Sequence, residues 1–215
     1  MKLFTVANAK TKKGEALGWL TIILHLKPNI KVCPYSTPGC RSVCLNTAGR
    51  GKFAMVQCAR QKRNDLLEND PEAFIQQVKE EIKYYDRRAK KKGLKLAVRL
   101  NGTSDLMWDD VIKSMPDIQF YDYTKNLKPR DIPNNYDLTF SLSETNKSKE
   151  AAKKFLSNGT KVAIVFRNHL PKEWNGYPVL DGDKNDLRFL MPKGIVVGLK
   201  AKGKAKKDKS GFVQD

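Results

Sequence analysis

The chain has 215 residues, enough for one domain with a substantial core, and 40% of them are hydrophobic, well above the level of a disordered chain. No apolar run approaches the ~20 residues that a membrane span needs, and the N-terminus MKLFTVANAKTKKGE lacks the apolar core of a secretory signal. A soluble, intracellular protein without a membrane partner is therefore expected, and its net charge of +18 favours contact with polyanions.

In chain order, GWLTIILHLKP predicts a buried strand that stops at Pro28, and a loop holding Cys33, Cys40 and Cys44 follows directly. GKFAMVQCARQKRNDLLEND predicts a helix. DPEAFIQQVKEEIKYYDRRAKKKG predicts a second one, with Asp70 placed to cap it, Pro71 in its first turn and Gly93 to end it. Phe74, Val78, Ile82 and Tyr85 form its apolar stripe. Strands are then predicted at LKLAVRLNG, IQFYDYTK, YDLTFSLSE, KVAIVF and GIVVGLKAKG, with helices around LMWDDVIKSM and SKEAAKKFLSNG. YPVLDGDKNDLRF reads as a turn or small hairpin centred on Asp181-Gly182-Asp183.

Short apolar strands alternating with helices imply an α/β fold with parallel strands and crossover connections. Six main strands fit an incomplete (β/α)6-like barrel of the TIM type, and an open doubly wound sheet is the alternative. The expected organisation is one domain over residues 1–203, with a cysteine-bearing segment at 33–58, followed by a basic mobile tail at 204–215. No GxGxxG or GxxxxGK[ST] loop is present.

All 4 cysteines fall in one stretch, spaced C-x6-C-x3-C-x13-C. In a reducing compartment such clustering points to metal binding or catalysis before disulfides. The loop between the first two is rich in Pro, Ser, Thr and Gly, residues that bend a chain around a small object. Arg41 beside Cys40 is placed to offset thiolate charge. A structural zinc site usually draws on paired CxxC knuckles, and none occurs here. Buried free thiols are the plain alternative. The spacing favours an iron–sulfur cluster held by Cys33, Cys40 and Cys44. Cys58 is either a fourth ligand or a packed thiol, and His25 and His169 read as structural or exposed.

A strand, a three-cysteine loop and a βα series resemble the radical S-adenosylmethionine enzymes. That resemblance implies a [4Fe-4S] cluster whose fourth iron chelates S-adenosylmethionine. The spacing here departs from that family's C-x3-C-x2-C, and RLNGTSD stands where its glycine-rich segment belongs. The segments CPYSTPGCRSVCL, VQCAR, VRLNGTSDL, FYDYTK, LTFSLSE and DGDKNDLRF are similar to a family of phage proteins known as gene-product-88-like. It carries no established activity. That resemblance implies a phage origin and a place in the cytoplasm of the infected host. It also implies that the counterpart of Cys58 need not be cysteine.

In α/β barrels function collects where strands end. The second strand ends in Arg99, Asn101, Ser104 and Asp105, the third in Tyr121, Asp122, Tyr123 and Lys125, and the fourth in Ser141, Ser143 and Glu144. Lys200 and Lys202 close the last strand, and Asp181, Asp183 and Arg188 are placed to close the rim. Of these, Arg99, Asn101, Asp105, Tyr121, Asp122, Lys125, Ser143 and Glu144 form the candidate substrate or cofactor pocket. Some of these polar residues are equally suited to capping the helices that follow.

The expected function is a cluster-binding protein with redox or radical chemistry at an open iron, served by an electron donor or a small molecule. The alternative is a zinc- or cluster-braced basic protein that binds nucleic acid without catalysis. Its nucleic-acid contact would be weak and non-specific, because no base-reading element is evident.

Overall fold

The computed structural model describes residues 1–6, 13–128 and 130–215. Nine strands form one sheet: β1 (Phe4–Thr5), β2 (Trp19–Leu24), β3 (Lys95–Arg99), β4 (Gln119–Thr124), β5 (Tyr136–Ser141), β6 (Val162–Phe166), β7 (Glu173–Trp174), β8 (Tyr177–Asp181) and β9 (Val196–Lys200). Their order is β1-β2-β3-β4-β5-β6-β9-β8-β7. Strands β2 to β6, β9 and β8 are parallel, and β1 and β7 pair antiparallel at the two edges. Among the described residues no pairing joins these edges, so the sheet is open and the barrel expected from sequence is not closed. The helices are α1 (Pro38–Ser42), α2 (Ala54–Asn69), α3 (Pro71–Lys91), α4 (Asp109–Lys113) and α5 (Asn146–Ser157).

Alternation along the strands separates two faces. On one, Leu20, Ile22, Leu96, Val98 and Phe120 pack with Phe74, Val78, Ile82 and Tyr85 of α3 and with Val111 and Ile112 of α4. Farther along the same face, Phe140, Val162, Ile164 and Phe166 pack with Ala152 and Leu156 of α5. On the other face the α-helical part among the described residues is short: residues 13–15, whose Gly14 lies beside Thr21 and Leu187. There Ala97 and Tyr121 meet Leu187 and Phe189, while Ala163 and Val197 meet Met191. The winding of α3, α4 and α5 is thus one-sided. The stripe and ends of α3 are as its sequence predicts: Asp70 accepts from the Ala73 N–H, and Gly93 takes φ 68°.

Two expectations are corrected. A turn does follow β8 at Gly182-Asp183, with the Asp183 N–H donating to Asp181, but the hairpin lies at Asn175-Gly176, between β7 and β8, where both residues have positive φ (50° and 80°). Asn-Gly is the pair that such a turn favours. The stretch 204–215 is not a loose tail. It begins with a 3-10 turn at Gly203–Lys207, buries Phe212 and Val213, and bridges Gln214 to Phe166. Asp208 folds it back by accepting hydrogen bonds from Ser210 and from the Val213 N–H. Its lysines hide from a composition-based reading that two apolar residues suffice to anchor it.

Candidate metal centre

Because β2 to β6 and β9 are parallel, the loops that follow them emerge along one edge of the sheet. They enclose a cavity of about 230 Å³. Cys33, Cys40 and Cys44 all line it. Cys58 does not, and it is exposed on α2. Among the described residues, no three His, Cys, Asp or Glu side chains are grouped to hold a metal ion.

The cysteine loop is shaped by local bonds. Thr37 caps α1 by accepting from the Cys40 N–H at 3.2 Å, and Pro38 occupies the first turn. Glu144, just after β5, then clamps the loop. Its carboxylate accepts from the Gly39 N–H at 2.8 Å and from the Thr37 hydroxyl at 2.7 Å. A Cβ on Gly39 would stand 2.6 Å from this carboxyl group, so glycine is needed for the approach. On the other side, Cys40 and Val43 pack with Ala201, Ala205, Phe212 and Val213. The C-terminal stretch is therefore part of the loop's support.

The thiols share an electrostatic environment. Burial pushes the Cys33 thiol up to about 12, and the nearby Cys44 and Cys40 add to the shift. Cys44 is also raised, by burial first, although the Asn46 N–H donates to its sulfur at 3.5 Å. Opposing these shifts are Lys125, acting on both thiols, and Arg60, acting on Cys44. Arg41 does not take the part expected of it: it is exposed and donates to the Ser36 carbonyl. Arg60, a buried residue of α2 that donates to Asn46, was not singled out from sequence. His25 lies outside the cavity lining. Burial, then the charge of Arg60, lowers its pKa to about 3 and keeps it neutral.

Of the polar pocket expected from sequence, Arg99, Asn101, Asp105 and Lys125 line the cavity together with the cysteines. Tyr121, Asp122, Ser143 and Glu144 do not. Tyr121 is fully buried one layer deeper on the same face as Arg99, and its hydroxyl donates to Asp186 at 3.0 Å. Asp122 sits on the helix-covered face, accepting from the Asn101 N–H at 2.7 Å and the Tyr136 hydroxyl at 3.3 Å. The Ser143 N–H donates to Ser148 at the start of α5. Tyr123, Ser141, Asp183, Lys200 and Lys202 also reach the cavity, whereas Arg188 is buried behind it. Asp186, Val165 and Phe212 are lining residues that sequence reasoning missed.

The chain was also compared with known proteins. The family model described as Gene product 88 matches residues 2–215. No match is found among curated proteins or among solved structures.

Proposed function

This chain belongs to the Gene product 88 family, and we propose that it is an iron–sulfur protein whose [4Fe-4S] cluster is held by Cys33, Cys40 and Cys44. The observation that carries this reading is that these three thiols, and not Cys58, line one cavity where the parallel strands end. The donor set fits the group. Three thiols line one cavity, and the chain has none of the CxxC knuckles that a structural zinc site usually uses. Soft thiolates are the usual ligands of such a cluster. Lys125 and Arg60 supply positive charge close to Cys33 and Cys44, which offsets the loss of thiol protons on binding. The Asn46 N–H to Cys44 is a hydrogen bond of the kind that orients and tunes a ligand sulfur.

Three protein ligands would leave one iron of such a cluster without a cysteine, and Asn101, Asp105 and Lys125 line the same cavity. When bound, the group supplies one-electron chemistry at that position. S-adenosylmethionine is a candidate for the open iron through the resemblance to radical enzymes alone. A phage protein working in the host cytoplasm would meet the reducing conditions that free thiols need.

The test is anaerobic purification with iron, sulfide and zinc analysis. Iron and sulfide in equal amounts are expected, lost in Cys40→Ser and kept in Cys58→Ser. A colourless protein with one stoichiometric zinc would sink the reading, and equal loss in both variants would make Cys58 a fourth ligand.

A non-catalytic nucleic-acid role is the second reading. It is favoured by the fixed basic surface at Gly203–Lys207, which holds exposed Lys204, Lys206 and Lys207 beside the cavity. Duplex binding would follow a log–log salt slope of about −0.9 per neutralised phosphate. Binding that fades near physiological salt is expected in an electrophoretic titration. Sub-micromolar, sequence-dependent binding at that salt would make this the primary function.

A further inference from the structure

Most polar groups on the cavity wall are already committed to the scaffold. Asn101 Oδ1 accepts from Ser104, Trp108 and the Leu106 N–H, and its amide donates back to the Leu106 carbonyl. The Thr103 hydroxyl donates to the Leu26 carbonyl, Asp105 accepts from the Lys125 N–H, and Lys202 pairs with Asp183 at 2.6 Å. Such groups are not available to a ligand without breaking the loops that carry them.

Lys125 is different. It is half-buried, and among the described residues its ammonium has a single hydrogen bond, donated to Ser141 Oγ at 2.8 Å. It lies 5.3 Å from the centre of the Phe212 ring. No carboxylate pairs with it among the described residues. Among the described residues, Ser141 Oγ accepts from Lys125 and its own proton is given no acceptor. Arg99, on the same wall, keeps its Nε–H buried and without a partner among the described residues. Asp105 and the thiols act on this charge through space without an ion pair to Lys125, and a partly desolvated ammonium or a buried donor is normally satisfied by a direct partner. The wall beside them is apolar, built from Val43, Val165, Leu199 and Phe212.

We infer that Lys125 and Ser141 form the anchor of a binding site for a small organic anion, its charged head on the ammonium and hydroxyl and its apolar body against Val165, Leu199 and Phe212. The cavity of about 230 Å³ is smaller than drug-sized pockets, which start at about 300 Å³, so the ligand has few heavy atoms. The inference deepens the cluster reading and rests on it only for what occupies the thiol side of the cavity. A carboxylate and a phosphate monoester share the required chemistry.

The experiment titrates butyrate, butyl phosphate and the uncharged butyramide by calorimetry into anaerobic, iron-loaded protein and into the protein as isolated. At least one of the two anions should bind, and the amide should not. Lys125→Met should weaken the anion about tenfold or more, as expected for loss of a charge-assisted hydrogen bond. Lys125→Arg should recover part of the affinity. Ser141→Ala should lose less and keep the wild-type iron content. If neither anion binds, if the amide binds equally, or if Lys125→Met binds like wild type, the inference is overturned. Loss of iron from Lys125→Met with no anion binding to wild type would assign this lysine to the cluster alone. Absence of iron from the wild type would overturn the cluster reading, and the titration would still decide the anion site.

Discussion

The two faces of the sheet are built from alternate residues of the same strands, yet they differ in kind. The face under α3, α4 and α5 carries Leu20, Ile22, Val98, Phe120, Phe140 and Ile164, a dry apolar layer. The opposite face mixes Thr21, Arg99, Tyr121, Tyr123 and Thr139 with small apolar residues. At its centre Asp186 takes hydrogen bonds from Arg99 at 3.2 Å and Tyr121 at 3.0 Å, and Arg188 lies 3.4 Å away. Arg99 also stacks on Tyr123, 4.7 Å from the ring centre. One face thus supplies folding energy through area removed from water, and the other fixes polar side chains beside the cavity.

If that division is real, Phe120→Ala should cause the largest global loss and the least selective one. Phe120 is fully buried between β4 and the helices, and such truncations cost about 3–5 kcal/mol. In a chain of this length the melting temperature would fall by about 10 °C. Residual folded protein should keep its iron. Selective loss of the cluster with an unchanged melting temperature would break the comparison.

Arg99→Leu probes the other face and ranks second. It removes a buried cation from Asp186, which still has Tyr121 and Arg188, so a cost of about 2–3 kcal/mol is expected, below that of severing an isolated buried pair. Denaturant melts should show this loss. A double variant that also carries Asp186→Asn should be less destabilised than the sum of the two single variants, since the residues share one network. Additive effects would separate them.

The helix-covered face was legible because its signals are local. The 3.6-residue stripe of α3, its Asp70 cap and the apolar strand cores are written in contiguous segments. The cavity was legible in part, because strand ends can be located without knowing their neighbours, which identified Arg99, Asn101, Asp105 and Lys125. What failed needed tertiary knowledge. Asp122 differs from Tyr121 and Tyr123 by one step of the strand's two-residue period, and that step puts it on the helix side. Glu144 turns away from the cavity toward a loop 105 residues earlier in the chain, as no spacing rule foretells. Arg60 acts on Cys44 and donates to Asn46 because the fold brings α2 back against the cysteine loop. The one-sided winding also eludes sequence, since the segment that carries Leu187 and Phe189 over the second face contains only a 3-10 turn, Arg188–Leu190.

Glu144→Gln should have a smaller, local effect. An amide keeps one acceptor, so either the Thr37 hydroxyl or the Gly39 N–H keeps its bond while the other loses a charged partner. About 1–2 kcal/mol is expected, by the worth of a hydrogen bond to a charged group. Hydrogen exchange should quicken at Gly39 and Cys40 while the amides of α3 stay protected. Uniform acceleration across both regions would mean that the loop and the helix face are one cooperative unit.

The last effect is seen through pH and concerns Asp122, a carboxylate that interrupts the apolar face. Asp122 is 0% exposed, and burial raises its pKa to about 7 from an ordinary 3.8. Arg99 and the N–H groups of Asn101 and Leu100, with the Tyr136 hydroxyl, pull the other way but do not offset burial. The folded chain therefore holds a proton on Asp122 between about pH 4 and 7 that the unfolded chain has released. Its contribution to stability is full below the unfolded value and is lost as pH rises through the folded one, with a slope no steeper than about 1.4 kcal/mol per pH unit. Asp122→Asn removes that titration while leaving an acceptor for the Asn101 N–H. The difference between wild type and variant, from urea melts at pH 4.5 and pH 8, should shift in favour of the variant as pH rises. Parallel profiles would show that Asp122 is ionised in the folded protein throughout, and that the helix-covered face tolerates a charge its packing says it should not.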